Sequence, residues 1–149
     1  MNQKKEQGYY VDDSGTILGR HGGIHKYTVG QRKGLTLAFG KRMYVRKIDY
    51  QKNQIVLGDK PFTKFVIANN INLFIDETQF LDDYQYTAKI RYKSKEGKAK
   101  VNLIIEDKSK KLQVEFLNDV EASSCGQSLV IYHEDRIVGG GIIEKLVIH

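Results

Sequence analysis

The sequence has little cysteine, little proline and no tryptophan. Its 149 residues include one cysteine, Cys125, and one proline, Pro61. A single cysteine excludes an internal disulfide and a zinc site built from several cysteines, and this usage is typical of proteins from a reducing compartment. We therefore expect a cytoplasmic protein.

Long hydrophobic runs are also absent. No apolar stretch approaches the roughly 20 residues that cross a bilayer, and the first ten residues, MNQKKEQGYY, lack the apolar stretch of a signal peptide. The sequence contains neither the phosphate-binding pattern G-x-x-x-x-G-K-[ST] nor a glycine-rich βαβ unit. We expect no membrane partner, no methyl-donor site and no cofactor in this chain.

Positive charge is present and unevenly distributed. Residues 1–60 hold 12 lysines and arginines against 5 acidic residues, whereas residues 61–149 hold 12 against 13. A basic surface speeds encounter with a polyanion and makes binding depend on salt. A basic surface that serves only solubility is the alternative interpretation.

The segment with the most information is 15–35, GTILGRHGGIHKYTVGQRKGL. Its glycines allow positive φ or a close approach to a ligand, and its basic side chains are Arg20, Lys26, Arg32 and Lys33. This composition predicts a docking site for a polyanion, although a glycine-rich connector would look similar. His21 and His25 have a metal-ligand spacing only on a helix, which Gly22-Gly23 disfavours. We predict no metal site, and interpret His21 as a residue that binds backbone and organises the loop.

The residue order in this segment is similar to the signature of the tRNA-specific 2-thiouridylases, formerly named tRNA (5-methylaminomethyl-2-thiouridylate)-methyltransferases. That pattern is close to G-x-x-x-G-x-H-x-G-x-x-x-Y-T-x-G-Q-R-x-G-L, and it aligns from residue 15 to residue 35. Two later segments resemble the same family: AKIRYKS at 88–94, and CGQSLVIY followed by GGGII at 125–143. The resemblance spans nearly the whole chain, but only the central and C-terminal domains of the family.

The resemblance implies that catalysis and tRNA binding belong to different domains. In the family, an N-terminal ATP-pyrophosphatase domain carries an S-G-G-x-D-S loop, and two upstream cysteines transfer sulfur from a donor protein to the wobble uridine. Neither feature occurs in this sequence. The implied role is therefore a tRNA-binding, non-catalytic portion that holds the anticodon arm. ATP would be used by the missing domain, and no catalytic residue is expected in this chain.

Short segments rich in β-branched and aromatic residues recur between polar turns, which predicts an all-β fold. The predicted strands are 9–11, 16–18, 43–49, 54–58, 86–94, 98–106, 111–117, 127–132 and 136–143. The glycine run 139–141 could cradle phosphate, but we expect it to form a bend or bulge in the last strand. We expect a small β-rich central domain over residues 1–66, which contains the GQRKGL segment. Residues 67–149 are predicted to form a six-or-so-stranded β-barrel resembling a translation-factor barrel. The division is placed near Pro61, where the charge also changes.

A basic hairpin is predicted in KIRYKSKEGKAK, residues 89–100. Lys89, Arg91, Lys93 and Lys95 alternate with mostly apolar residues before a Glu96-Gly97 turn, and Lys98 and Lys100 continue the basic face. Such a ribbon suits a phosphate backbone, whereas lysines that protect a sheet edge give the same pattern.

The resemblance places tRNA contacts on Arg91, Tyr92 and Gln127. Arginine pairs with phosphate or stacks on a base, tyrosine stacks, and the glutamine amide both donates and accepts. Tyr92 shares a face with Ile90, so the alternative interpretation of Tyr92 is a tyrosine buried in the core. The predicted RNA-binding set is completed by basic neighbours of these motifs: Arg32, Lys33 and Lys93.

Two other functions remain open at this point. One is a free-standing β-barrel module that binds another RNA or a translation factor. The other is an autonomous thiol enzyme that uses Cys125, where the family usually has proline. We favour an inert turn residue at this position, because no histidine or lysine is near in sequence to lower the thiol pKa.

Overall fold

The structure is a computed structural model that describes residues 7–32, 42–76, 80, 83–91 and 94–149. The chain divides into two compact units. Unit 1 comprises residues 1–61 together with 148, and unit 2 comprises residues 62–147 together with 149. No helix among the described residues is long and apolar enough to cross a membrane.

Unit 1 contains a four-stranded sheet. Its strands are β1 (Gly8–Val11), β2 (Ile17–His21), β3 (Tyr44–Asp49) and β4 (Gln54–Gly58), in the order β2-β1-β4-β3. The pair β1–β4 is parallel, and the other pairs are antiparallel. A single 3-10 turn, Ile24–Lys26, follows β2. Val11, Val45 and Ile55 are buried in this unit.

Two polar turns of unit 1 have the conformations that their residues predict. A side-chain oxygen of Asp12 accepts hydrogen bonds from the backbone N–H groups of Ser14 and Thr16, at 3.0 and 2.9 Å, and so closes the β1–β2 turn. Asn53 ends the β3–β4 turn with φ 54°, a left-handed conformation that asparagine tolerates. Both strand pairs predicted around these turns are confirmed.

Unit 2 is a closed six-stranded barrel, which confirms the predicted all-β fold. Its strands are β5 (Phe62–Leu73), β6 (Tyr86–Lys89), β7 (Gly97–Glu106), β8 (Ser109–Glu121), β9 (Ser128–His133) and β10 (Arg136–Leu146), in the closed order β10-β5-β8-β7-β6-β9. Every pair is antiparallel. Val66, Tyr86, Phe116 and Leu129 are among the side chains that fill the interior.

The glycine run of β10 is a bulged segment, as the sequence predicted. The pairing register of β10 shifts between Ile137 and Gly139 on one side and between Gly140 and Ile142 on the other. A Cβ atom on Gly140 would lie 2.2 Å from the carbonyl oxygen of Leu129. Glycine is therefore required here because two backbones approach closely, which lets the strand curve and the barrel close.

β6 and β5 differ most from the sequence prediction. β6 ends at Lys89, whereas alternation predicted a strand as far as Ser94. The chain turns away instead, since Ser94 N–H donates to the Arg91 carbonyl at 3.1 Å. β5 was not predicted as a strand, and the predicted division between residues 66 and 67 falls inside it.

Candidate functional site

One end of the barrel carries the first group of predicted site residues. Lys89, at the end of β6, pairs with Val130 of β9. Arg91 therefore follows the end of β6 where Gln127 precedes the start of β9, and antiparallel pairing brings the two positions to the same end of the barrel. We call this the Arg91 end.

The Gln127 side chain is exposed, and both backbone polar groups of this residue form hydrogen bonds. Its carbonyl accepts from Ile143 N–H at 2.8 Å, and its own N–H donates to Ser124 at 3.2 Å. Gly126, just before it, has φ 91° and donates to the Ile143 carbonyl at 2.8 Å. The left-handed glycine turns the chain into β9, so the Gln127 side chain is presented to solvent from a fixed backbone.

Arg91 has a carboxylate partner. Its Nη1 lies 3.0 Å from Oε2 of Glu121, at the end of β8. The two side chains are 36% and 40% exposed, so the pair is accessible to solvent and to a ligand. A groove beside it is lined by residues 94–98 on one side and residues 118–121 on the other. Arg91 is therefore already neutralised in part by a residue that the sequence did not indicate.

The predicted basic hairpin is only partly regular. Ala88 and Ala99 are buried while Lys98 is exposed, so the inward and outward faces follow the predicted alternation. Gly97 is the first residue of β7 and pairs with Ala88, so the predicted Glu96-Gly97 turn is wrong. The connection runs through residues 90–96 instead. Glu96 accepts from the Thr87 hydroxyl at 2.8 Å and places an acidic group among the lysines.

Among the remaining predicted contacts, Arg32 lies within the described residues. It is exposed and belongs to unit 1. Lys33, Tyr92 and Lys93 lie outside the described residues. The structure therefore brings together Arg91 and Gln127 from the predicted set.

The glycine-rich loop of unit 1 is organised by His21, as predicted. The ring is buried, with Nε2 at 2.9 Å from the Asn53 carbonyl and Nδ1 accepting from Gly23 N–H at 3.1 Å. This pattern requires the proton on Nε2 and uses both ring nitrogens. His21 consequently joins the loop to the β3–β4 turn. In the part of the chain that the structure describes, no three His, Cys, Asp or Glu residues are grouped to hold a metal ion.

A tyrosine pair supports the same loop. The hydroxyls of Tyr10 and Tyr27 form a hydrogen bond, and both rings pack edge-on against His21, with centroids 5.6 and 6.2 Å from its ring. Burial and the Tyr27 hydroxyl raise the pKa of Tyr10 well above its usual value. Tyr10 is therefore a neutral hydrogen-bonding group that anchors Tyr27 of the loop.

Cys125 has the properties of an inert residue. Its thiol donates to the Glu144 carbonyl at 3.3 Å. Cys125 is exposed as a residue, but partial burial of its sulfur, together with the negative charge of Glu144, raises the pKa of this thiol. A raised pKa disfavours the thiolate, which is the form that a nucleophile or sulfur carrier needs.

The sequence did not indicate that two acidic residues lie near the Arg91 end. Asp119 lies 2.8 Å from Nε2 of His149, and Glu121 binds Arg91. Both acids stand on the last part of β8, beyond the predicted end of that strand at Leu117. Alternation does not indicate these two acids, because their partners lie 30 residues away along the chain.

Comparison with known proteins agrees with this architecture. Residues 2–59 match a family model described as tRNA methyl transferase PRC-barrel domain, and residues 63–143 match one described as aminomethyltransferase beta-barrel domain. The chain is 44% identical over 146 residues to a tRNA-specific 2-thiouridylase MnmA of Caldicellulosiruptor saccharolyticus. It is 45% identical over 142 residues to that of Clostridioides difficile, and 47% identical over 139 residues to that of Acetivibrio thermocellus.

These alignments cover nearly the whole chain and a smaller part of each relative. They include 97%, 94% and 92% of this chain, but 39%, 38% and 38% of the three relatives. The chain belongs to the tRNA-specific 2-thiouridylase family. It corresponds to the central and C-terminal domains of that family.

Proposed function

We propose that this chain is the tRNA-binding, non-catalytic portion of a tRNA 2-thiouridylase, and that it holds the anticodon arm for thiolation of the wobble uridine. The observation that carries the proposal is the Arg91 end of a barrel from this family. There a half-buried arginine and an exposed glutamine lie at the same end of the barrel. The relatives are named for their action on tRNA, so tRNA is the polyanion that this surface is best suited to bind.

Each residue has a distinct role in the proposal. Arg91 binds a phosphate oxygen or stacks on a base, and Gln127 donates and accepts at a ribose or a base edge. The proposal assigns a stacking surface to Tyr92 and a point charge to Lys93. It also assigns a supply of positive charge to Arg32 and Lys33.

The chemistry is assigned to the rest of the enzyme. In this proposal an N-terminal ATP-pyrophosphatase domain uses ATP, and a sulfur donor protein supplies the sulfur, in the cytoplasm. The raised pKa of Cys125 supports the absence of a nucleophile in the barrel. The purified chain should therefore bind tRNA without hydrolysing ATP or forming thiolated product.

A binding titration at several salt concentrations tests the proposal. Unmodified tRNA transcript is titrated with the 149-residue chain, with Arg91→Ala and with Gln127→Ala. Arg91→Ala should weaken binding and reduce the slope of log K against log salt by about one, since one phosphate contact is lost. Gln127→Ala should weaken binding with an unchanged slope, because its contact is uncharged.

Duplex DNA of the same length and Lys108→Ala serve as controls. Lys108 is an exposed turn residue at the other end of β8, far along the strand from the Arg91 end. Equal affinity for duplex DNA and tRNA, or equal effects of Lys108→Ala and Arg91→Ala, would contradict the proposal. Preferential binding of a translation factor would support the alternative, a free-standing barrel module.

A further inference from the structure

The Arg91–Glu121 pair joins a residue just after β6 to a residue at the end of β8. The Arg91 carbonyl accepts from both the N–H and the hydroxyl of Ser94, at 3.1 and 2.9 Å. Glu121 pairs with Phe62 in the β5–β8 ladder. Strand pairing therefore sets the position from which the Glu121 carboxylate reaches the guanidinium.

The Glu121 carboxylate pairs with the Arg91 guanidinium in the way that a phosphate oxygen would. The 3.0 Å contact from Nη1 to Oε2 is a charge-assisted hydrogen bond of the kind that arginine also forms with phosphate. More than a third of each side chain is exposed, so an incoming anion can reach both. Asp119, two residues earlier on β8, adds a second carboxylate beside the same groove.

We propose that Glu121 is an intramolecular competitor for phosphate at Arg91, so that RNA binding exchanges a carboxylate for a phosphate on this guanidinium. The inference rests on the proposed function and concerns how its site is regulated. Exposed ion pairs contribute little to stability, so the exchange is feasible for an RNA that makes further contacts nearby. An isolated phosphate, which lacks those contacts, gains little from the exchange.

The competitor also sets a threshold for binding. Any anion that pairs with Arg91 must displace Glu121, and this cost is the same for every ligand that makes the exchange. An RNA that also engages Gln127 offsets the cost with its further contacts, whereas an anion without such contacts does not. Glu121 thereby acts through Arg91 as a positioning residue.

A double-mutant cycle tests the exchange. Glu121→Gln, Arg91→Ala and the double variant are titrated with unmodified tRNA transcript and with duplex DNA at two salt concentrations. Glu121→Gln should tighten tRNA binding by up to about fivefold, the upper range for an exposed pair. Duplex DNA should gain no more than tRNA does, because Glu121→Gln removes a cost that arises only when a ligand pairs with Arg91. In the Arg91→Ala background the effect of Glu121→Gln should fall to that of the control.

The control is Asp119→Asn, which removes the same charge from the same strand but leaves the Arg91 pair in place. Thermal unfolding of each variant verifies that the barrel is intact. If Glu121→Gln fails to tighten binding, or tightens it equally with and without Arg91, the exchange is refuted while the proposed function stands. If Arg91→Ala leaves tRNA binding unchanged, Arg91 is no contact and the exchange is also refuted. A chain that binds no tRNA overturns both proposals.

Discussion

The ammonium group of Lys111 lies 2.8 Å from Oε2 of Glu144, across the intervening strand β5. Only 6% of Lys111 is exposed, and Glu106 lies 3.5 Å from the same nitrogen. The hydrogen bond to Lys111 lowers the pKa of Glu144, and the same bond raises the pKa of Lys111. The pair links β8 to β10 on the outer side of the barrel.

Glu144→Gln should lower the thermal midpoint at pH 7 by several degrees, since Lys111 loses its main partner. A carboxylate whose pKa is lowered by folding contributes stability that is present above its unfolded pKa of about 4.3 and is lost as pH falls through the folded value. The difference between the two proteins should therefore shrink below about pH 4. Thermal melts from pH 7 to pH 2.5 measure it. Glu134→Gln, in an exposed turn, is the control, and a difference independent of pH would contradict this account.

His21→Ala should destabilise the chain by about 2 kcal/mol, because the carbonyl of Asn53 and the N–H of Gly23 lose a buried hydrogen-bond partner. Denaturant titration measures the free energy of unfolding. His25→Ala is the matched control, since this exposed histidine should change it by less than about 0.5 kcal/mol. Equal effects of the two substitutions would show that His21 does not organise the loop.

Gly140→Ala should destabilise the barrel by about 3 kcal/mol, since the new methyl group would overlap the carbonyl of Leu129 and force the strands apart. Gly22→Ala provides the comparison. Its nearest contact would be a lysine nitrogen at 3.8 Å, and we expect a change within about 0.5 kcal/mol. Denaturant titration distinguishes them, and a Gly140→Ala protein of unchanged stability would show that the bulge does not need glycine.

Alkylation of Cys125 should be slower in the folded chain than in the denatured chain at pH 7.5. Folding raises the pKa of this thiol through burial, so the thiolate fraction is smaller than in an unfolded chain. The rate of iodoacetamide labelling, followed by mass spectrometry, measures this. Cys125→Ser should retain tRNA binding. Faster labelling of the folded chain would reveal an activated thiol and contradict the inert assignment.

The sequence predicted the strands whose ends are marked by local chemistry. The Asp12 turn forms through hydrogen bonds to neighbours in sequence, and Asn53 has a left-handed conformation that its residue type tolerates, so composition alone identifies both turns. β5 was missed because Asn69 and Asn70 interrupt its apolar pattern. Asn70 has φ 46° within the strand, and the pairing of β5 with β10 is irregular there.

The candidate site was predicted only in part, for a related reason. Motif resemblance indicated Arg91 and Gln127, but the partner of Arg91 depends on which strands pair. Glu121 reaches it because β8 continues past Leu117 to meet Phe62 of β5. The periodicity of the sequence indicates on which face of its strand a residue lies. The register between strands that are distant in sequence determines which residues that face contacts.

The two ends of unit 2 are joined by a reciprocal pair of backbone hydrogen bonds. Phe62 N–H donates to the carbonyl of His149, and His149 N–H donates to the carbonyl of Phe62, each at 2.9 Å. In a chain of residues 62–149 alone, a short peptide linker between these positions would allow circular permutation, with new termini at the exposed Asp107-Lys108 turn. The same closed barrel should therefore form when its strands are synthesised in a different order.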